Sequence, residues 1–239
     1  MTTQNTILDA IYALDQAPSI LKVKEVVRCN AERHGYSAFL CSAPPSPGRQ
    51  IINPILFEEW PDAWRRTYIS RRHYVHDPML KEIFRTTEPF LWSETMKRRT
   101  CTKAERTVMA EAADAKMAEG LVVPLYGIGG AVHALTMTGE KPRTDITARA
   151  ELRLISIYAY ARARQLRRRS GGTPVVLTDR QREALRWVAL GKTDPEIGLL
   201  MGISDSAAHK LVESAKRKWN VATRVQAVVE SIRQGDLQF

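Results

Sequence analysis

Apolar residues recur at helical spacing from the start of the chain. Ile7, Ile11 and Leu14 share one face, and Ile20, Val23 and Val27 share another a few residues on. The period then shortens. Ser37–Cys41 and Gly120–Leu125 are short apolar runs that suit strands, and Ala131–Thr138 alternates as a strand with one buried face does. The polar, alanine-rich stretch Lys103–Glu119 predicts a helix between these strands, and Ile146–Arg169 predicts a long helix after them. The order helices, strand, helices, strands, helix makes this part an α/β sandwich with a central antiparallel sheet.

The remainder is punctuated by helix caps. Thr178 with Gln181, Thr193 with Glu196 and Thr223 with Gln226 each have capping-box spacing, and each opens an apolar-periodic segment. Gly191, Gly202 and Gly235 stand where those segments should stop. Four helices are expected: Asp179–Leu190, Asp194–Met201, Asp205–Trp219 and Arg224–Gln234. Only Gly-Ile-Ser separates the second from the third, the short glycine-containing turn of a helix-turn-helix. Between the two patterns lies RRRSGGTP (Arg167–Pro174), which has linker chemistry. The expected division is an α/β domain over 1–165, a linker over 166–175 and a small all-α four-helix domain over 176–239.

Charge sharpens this division. The chain has 36 Lys and Arg against 26 Asp and Glu, a net charge of +10. Half of that excess falls in residues 151–176, where six arginines face one acid. Such a balance attracts polyanions. The apolar runs are far shorter than the ~20 residues that span a bilayer, and no basic region precedes an apolar stretch at the N-terminus. Cys29, Cys41 and Cys101 are an odd count without CxxC spacing, which suits reduced thiols in a cytoplasmic protein.

Enzyme signatures are missing from the sequence: there is no GxSxG, P-loop, helix-opening GxGxxG or HExxH. His73 and His76 beside Asp77 crowd three ligands into five residues, unusual packing for a closed metal site, so no metal is expected. Two other groupings carry candidate chemistry. On the third C-terminal helix Ala208, Val212, Ala215 and Trp219 form an inward stripe. The opposite face carries Ser206, His209, Lys210, Glu213, Lys216 and Arg217, polar tips for base edges and cations for phosphate. In the first domain Trp60, Trp64, Tyr68, Asp77 and Trp92 fall within 33 residues. Aromatic rings bearing N–H and O–H donors, with a carboxylate among them, suit an amphiphilic small molecule.

These residues carry a resemblance that covers nearly the whole chain. LTDRQREALRWVALGKTDPEIGLLMGIS…KRKWNVATRVQAV is similar to the helix-turn-helix of LuxR-type quorum-sensing transcription factors. Trp64-x3-Tyr68, Asp77-Pro78, Trp92 in FLWSE and Gly120 in EGLVVPLYG resemble the ligand-binding domain of that family at its mutual spacings. The resemblance implies a non-enzymatic regulator without cofactor that binds an N-acyl-homoserine lactone. It implies that Trp64 donates its indole N–H to the lactone carbonyl and that Asp77 accepts the ligand's amide N–H. Tyr68 and Trp92 would wall the pocket, Thr136 would bond near the acyl carbonyls, and Gly120 would be structural. Lys192, Thr193 and Arg224 would hold DNA phosphate.

The partners implied are double-stranded DNA bearing an inverted repeat, a second copy of the chain and RNA polymerase, with no membrane. Helices Ile146–Arg169 and Arg224–Gln234 are the candidate dimer surfaces. A receptor of the same fold for a non-lactone signal, such as a plant-derived one, would lose the lactone chemistry, and Trp64 with Asp77 argues against it. Three departures from the family pattern stand out. Trp60 stands where tyrosine is usual, Gln181 replaces a glutamate in the first capping box, and Ala207 and Ala208 replace a hydroxyl residue and valine. The bulkier indole of Trp60 leaves less room for a long chain, so a short, branched or aryl acyl tail is expected.

Overall fold

The computed structural model describes residues 3–44, 55–127, 132–170 and 177–237. They pack as two units, the first ending with a long helix at Ser170.

The first unit opens with helices α1 (Thr3–Asp15) and α2 (Ile20–Arg33), then strands β1 (Ala38–Ser42) and β2 (Ile55–Glu59). Short elements follow: α3 (Asp62–Ser70), a 3-10 turn (His73–Val75), α4 (Pro78–Glu82), β3 (Phe90–Leu91) and α5 (Trp92–Arg98). Helix α6 (Lys103–Asp114), strands β4 (Glu119–Tyr126) and β5 (Val132–Gly139), and helix α7 (Ile146–Ser170) complete it. The five strands form one antiparallel sheet in the order β2-β1-β5-β4-β3.

Each face of the sheet is covered, and strand alternation sorts side chains between two apolar layers. Phe39, Cys41, Leu121, Val123, Leu125, Leu135 and Met137 pack with Leu14, Val23, Val27, Leu152, Ile155 and Ala159 from α1, α2 and α7. Val122 and Ala134 face the other way, toward Trp64, Met79, Ile83, Trp92, Val108 and Ala112 from α3 to α6. The expected sandwich is therefore present.

Several expectations change in detail. Strand β5 is buried on both faces, not one, because its small residues Ala134 and Thr138 fit under flanking elements. Ala131, expected to begin that strand, lies outside the described residues. The helix expected over Lys103–Glu119 ends at Asp114: Lys116 takes a left-handed φ of 62°, and Glu119 already belongs to β4. The linker expected over 166–175 starts later, since α7 continues through Ser170; residues 171–175 lie outside the described residues. Part of the basic run is tied to its own domain. Arg162 donates to the Ala17 carbonyl at 2.8 Å, Arg164 to the Tyr160 hydroxyl at 3.1 Å, and Arg167 to the Ile55 carbonyl at 2.5 Å. These guanidiniums cap a helix end and the free edge of β2, so they are less available to a polyanion.

The second unit consists of α8 (Asp179–Ala189), α9 (Asp194–Met201), α10 (Asp205–Trp219) and α11 (Arg224–Gln234), around a core of Leu185, Ile197, Ala208, Val212, Ala215 and Ala227. The local signals act as their spacing demands. Gln181 Oε1 accepts the Thr178 N–H at 2.9 Å, Glu196 accepts the Thr193 N–H at 2.8 Å, and Gln226 accepts the Thr223 N–H at 3.0 Å. Gly202 and Gly235 take φ of 65° and 82°, the left-handed stop that glycine adopts without strain. Gln181 also donates to Ser214 at 2.9 Å and accepts from Lys218 at 2.9 Å, so glutamine serves as both cap and bridge to α10.

Candidate functional site

The first candidate site is assembled from short elements on one face of the sheet. Trp64 and Tyr68 stand four residues apart on α3 and so share a helix face, with Trp60 just before it. The Trp60 ring lies 6.4 Å from Trp64 and 5.2 Å from Tyr68, and Trp64 lies 5.7 Å from Tyr68. Asp77 is the N-cap of α4, followed by Pro78 at the first helical position, where a missing N–H costs nothing. One carboxylate oxygen of Asp77 accepts the Met79 N–H at 2.9 Å, and the other accepts the Tyr68 hydroxyl at 2.7 Å. Burial pushes the Asp77 pKa up, against the opposing pull of these hydrogen bonds and nearby His73. Tyr68 is pushed up as well, chiefly by burial and then by Asp77.

Trp92 opens α5, fixed there because Glu94 accepts the Leu91 N–H at 3.0 Å. Gly120 on β4 faces it; a Cβ at 120 would lie 2.6 Å from the indole Nε1 and 2.8 Å from Cδ2. Gly120 is thus structural, as expected, and what it makes room for is Trp92. Thr136 pairs with Leu40 across β1 and β5, and alternation puts it on the same sheet face as Ala134.

The electrostatic feature that stands out is a set of unused donors. The indole N–H groups of Trp60, Trp64 and Trp92 are buried, and none meets an acceptor among the described residues. An unpartnered buried donor costs about 1–3 kcal/mol, so three in one aromatic cluster leave a large demand for acceptors.

Two residues take roles here that the sequence reading did not assign. The His73 imidazole stacks on Trp64 at 5.8 Å with planes 27° apart, and its Nε2 lies 2.9 Å from Glu111 on α6. Glu111 also binds Arg71 at 2.6 Å, and its pKa is held below the usual carboxylate range, first by His73. A carboxylate only accepts, so Nε2 carries the proton. His73 is therefore a brace for Trp64. No local pattern links residues 38 positions apart, though adjacency to the aromatic run was a hint. Among the described residues no cluster of ligand types is arranged to hold a metal.

The second candidate site is the outer surface of the helix-turn-helix. Ala208, Val212 and Ala215 turn inward, while Ser206, His209, Lys210 and Arg217 are exposed. Glu213 and Lys216 are half-buried and paired with each other at 2.6 Å. Lys192 lies 3.3 Å from Glu196, which also accepts from the Thr193 hydroxyl at 2.8 Å. Arg224 contacts Asp194 at 3.0 Å, and the same carboxylate lies 2.8 Å from His209 Nδ1. The structure thus brings Thr193, His209 and Arg224 together where α9, α10 and α11 meet, with Ser206 and Arg217 elsewhere on α10.

A small-molecule domain built on a sandwich, followed by a helix-turn-helix, is the build of a ligand-responsive transcriptional regulator. Residues 21–163 match the autoinducer binding domain, and residues 175–231 match the bacterial regulatory proteins of the luxR family. The chain belongs to the LuxR-type quorum-sensing transcriptional regulators. It is 32% identical over 228 residues to the HTH-type quorum sensing-dependent transcriptional regulator RpaR of Rhodopseudomonas palustris, covering 95% of this chain and 92% of that one. It is 27% identical over 226 residues to the transcriptional activator protein BjaR1 of Bradyrhizobium diazoefficiens, covering 95% and 93%. In fold it matches the crystal structure of Escherichia coli SdiA with a TM-score of 0.81 at 18% identity, covering 99% of this chain and all of that one. RpaR and BjaR1 are transcriptional regulators, and their family is not enzymatic. Among the described residues no helix is long and apolar enough to cross a membrane.

Proposed function

We propose that the first domain binds an N-acyl-homoserine lactone within the aromatic cluster, and that the loaded chain acts as a homodimer on an inverted-repeat promoter site. The observation that carries the ligand reading is the trio of unpartnered indole N–H groups beside the Tyr68–Asp77 pair. A lactone offers what this set lacks. Its ring carbonyl and amide carbonyl are acceptors for Trp64 and Trp60, and its single amide N–H suits the Asp77 carboxylate. Tyr68 and Trp92 supply walls, and Thr136 reaches the acyl end. Trp60 brings a donor as well as bulk, which favours a short, branched or aryl tail over a long straight one.

Dimerisation follows from the size of the DNA contact, since one recognition helix reads only a few base pairs. Each unit presents apolar surface for it: Leu154, Ile157 and Tyr158 on α7 and, separately, Val225 and Val229 on α11 are exposed. Ser206, His209 and Glu213 would read base edges, and Lys192, Thr193, Lys210, Lys216, Arg217 and Arg224 would hold phosphate. A promoter-bound regulator of this kind works in the cytoplasm beside RNA polymerase. Mass spectrometry of ligand co-purified from a lactone-producing host tests the reading. An intact acyl-homoserine lactone is the expected mass, and a bound molecule without the lactone ring would overturn it.

A further inference from the structure

The His209–Asp194–Arg224 contact has a consequence for how DNA sequence is read. His209 projects from the exposed face of α10, its side chain 56% accessible, while Asp194 at the start of α9 is only 18% accessible. Nδ1 of His209 lies 2.8 Å from Asp194 Oδ2, the oxygen that also accepts the Arg224 hydrogen bond at 3.2 Å, and the Arg224 guanidinium lies 3.0 Å from Oδ1. A carboxylate cannot donate, so the proton in the first contact belongs to Nδ1. An imidazole held through one nitrogen has its other nitrogen fixed in both direction and protonation pattern.

We infer that Asp194 is a positioning residue for base reading: it holds His209 so that Nε2 is presented to the major groove as a bare acceptor when the ring is neutral and as a donor when the ring is charged. The inference rests on the reading of α10 as the recognition helix. A bare Nε2 pairs with the exocyclic amino group of cytosine or adenine, the major-groove donors, and rejects the acceptor edge of guanine. A protonated Nε2 reads N7 or O6 of guanine instead, which reverses the choice between cytosine and guanine, while adenine offers both a donor and an acceptor. One position in each half-site would then change its preferred base with pH. The charged groups around this imidazole are Asp194 from α9, Arg224 from α11 and Glu213 one turn along α10. Lys216 holds Glu213 ionised, with His209 and Arg217 adding to the effect. Arg224 offsets part of the Asp194 charge, so Asp194 acts on His209 mainly through the directed hydrogen bond.

The test combines site selection with spectroscopy on the full chain. Binding-site selection at pH 5.5 and pH 8 is run on the wild type, His209→Ala, Asp194→Ala and Asp194→Asn. In the wild type the ratio of guanine to cytosine at one half-site position should shift by roughly five- to tenfold between the two pH values, the scale of one hydrogen bond. His209→Ala should flatten that position at both pH values. Asp194→Ala should leave its preference weak and insensitive to pH, and Asp194→Asn, whose amide oxygen still accepts, should retain part of the shift. Nitrogen-15 NMR of labelled histidine at pH 8 should find the proton on Nδ1 in the wild type and moved largely to Nε2 in Asp194→Ala. If His209→Ala changes no base preference, the base-contact reading of His209 fails. If His209→Ala flattens the position but Asp194→Ala behaves as the wild type, the reading stands and the role of Asp194 is overturned. A neutral wild-type His209 with its proton on Nε2 also overturns it.

Discussion

Gly120 and Trp92 are in direct register, the backbone of one strand serving as the floor for an indole on the next element. A Cβ on residue 120 would come within 2.6 Å of the Trp92 Nε1, well inside van der Waals contact. Gly120→Ala therefore pushes the ring or the strand, and overpacking of this kind costs about 1–3 kcal/mol. Denaturant unfolding of the two proteins should show that loss, and lactone titration should show affinity lower by about tenfold. A variant with unchanged stability and affinity would mean that Trp92 has room to move.

Asp77→Asn should abolish the ligand response while the second unit stays folded and binds DNA nonspecifically. Losing a charge-assisted hydrogen bond costs about 1.5–3 kcal/mol, or roughly one to two decades in affinity. The wild type should show a related pH effect. Burial raises the Asp77 pKa, so the folded free chain takes up the carboxyl proton at a higher pH than the unfolded chain does. This contribution to stability is present below the unfolded pKa and lost as pH rises through the raised value. Lactone binding, which uses the ionised acceptor, runs the other way and should weaken as pH falls through it. Calorimetric affinity that does not change down the acid range would remove Asp77 from the site.

Glu105 is almost fully buried and bound by Arg99, the Thr102 N–H and Lys81, which together lower its pKa from 4.5 to about 2. A depressed carboxylate stabilises the fold fully above its unfolded pKa and loses that contribution as pH drops toward the folded value. Glu105→Gln should be less stable than the wild type by about 1–3 kcal/mol at pH 7. The gap should narrow between pH 4.5 and 2, as followed by chemical unfolding across that range.

Lys210 and Arg217 are exposed on α10 with no ion pair among the described residues, whereas Lys192 and Lys216 are paired to Glu196 and Glu213. Lys210→Ala and Arg217→Ala should each weaken specific and nonspecific DNA binding alike and shallow the salt dependence by about one unit. The same change at Lys192 or Lys216 should do less, because each cation is already partly neutralised by its acid and contributes less to phosphate contact. Fluorescence anisotropy across a salt series measures all four.

What the sequence reveals depends on how far apart the interacting residues lie. Helices α9, α10 and α11 begin and end where their sequence predicts, because a cap three residues from its partner and a left-handed stop, Gly202, Asn220 or Gly235, act within one turn. Strand β2 is different. Ile-Leu-Phe-Glu-Glu has no clear alternation, and it becomes a strand through pairing with β1, from Phe39 opposite Glu59 to Ser42 opposite Ile55. The early end of α6 depends on the left-handed Lys116, which nothing in an alanine-rich run announces. The aromatic cluster was legible as types and spacing. The brace of His73 by Glu111 and the tether of His209 to Asp194 were not, since each joins elements that only the folded chain brings together.

Calorimetric titration of the ligand-free full chain with a series of N-acyl-homoserine lactones addresses the central claim most directly, with Trp64→Phe and Asp77→Asn run beside the wild type. Trp64→Phe keeps an aromatic ring and removes the N–H. One lactone should bind per wild-type chain, tightest with a short, branched or aryl tail, and each variant should bind at least about tenfold more weakly, the scale of one lost hydrogen bond to a buried group. No binding by any lactone, or both variants binding as the wild type does, would contradict the account.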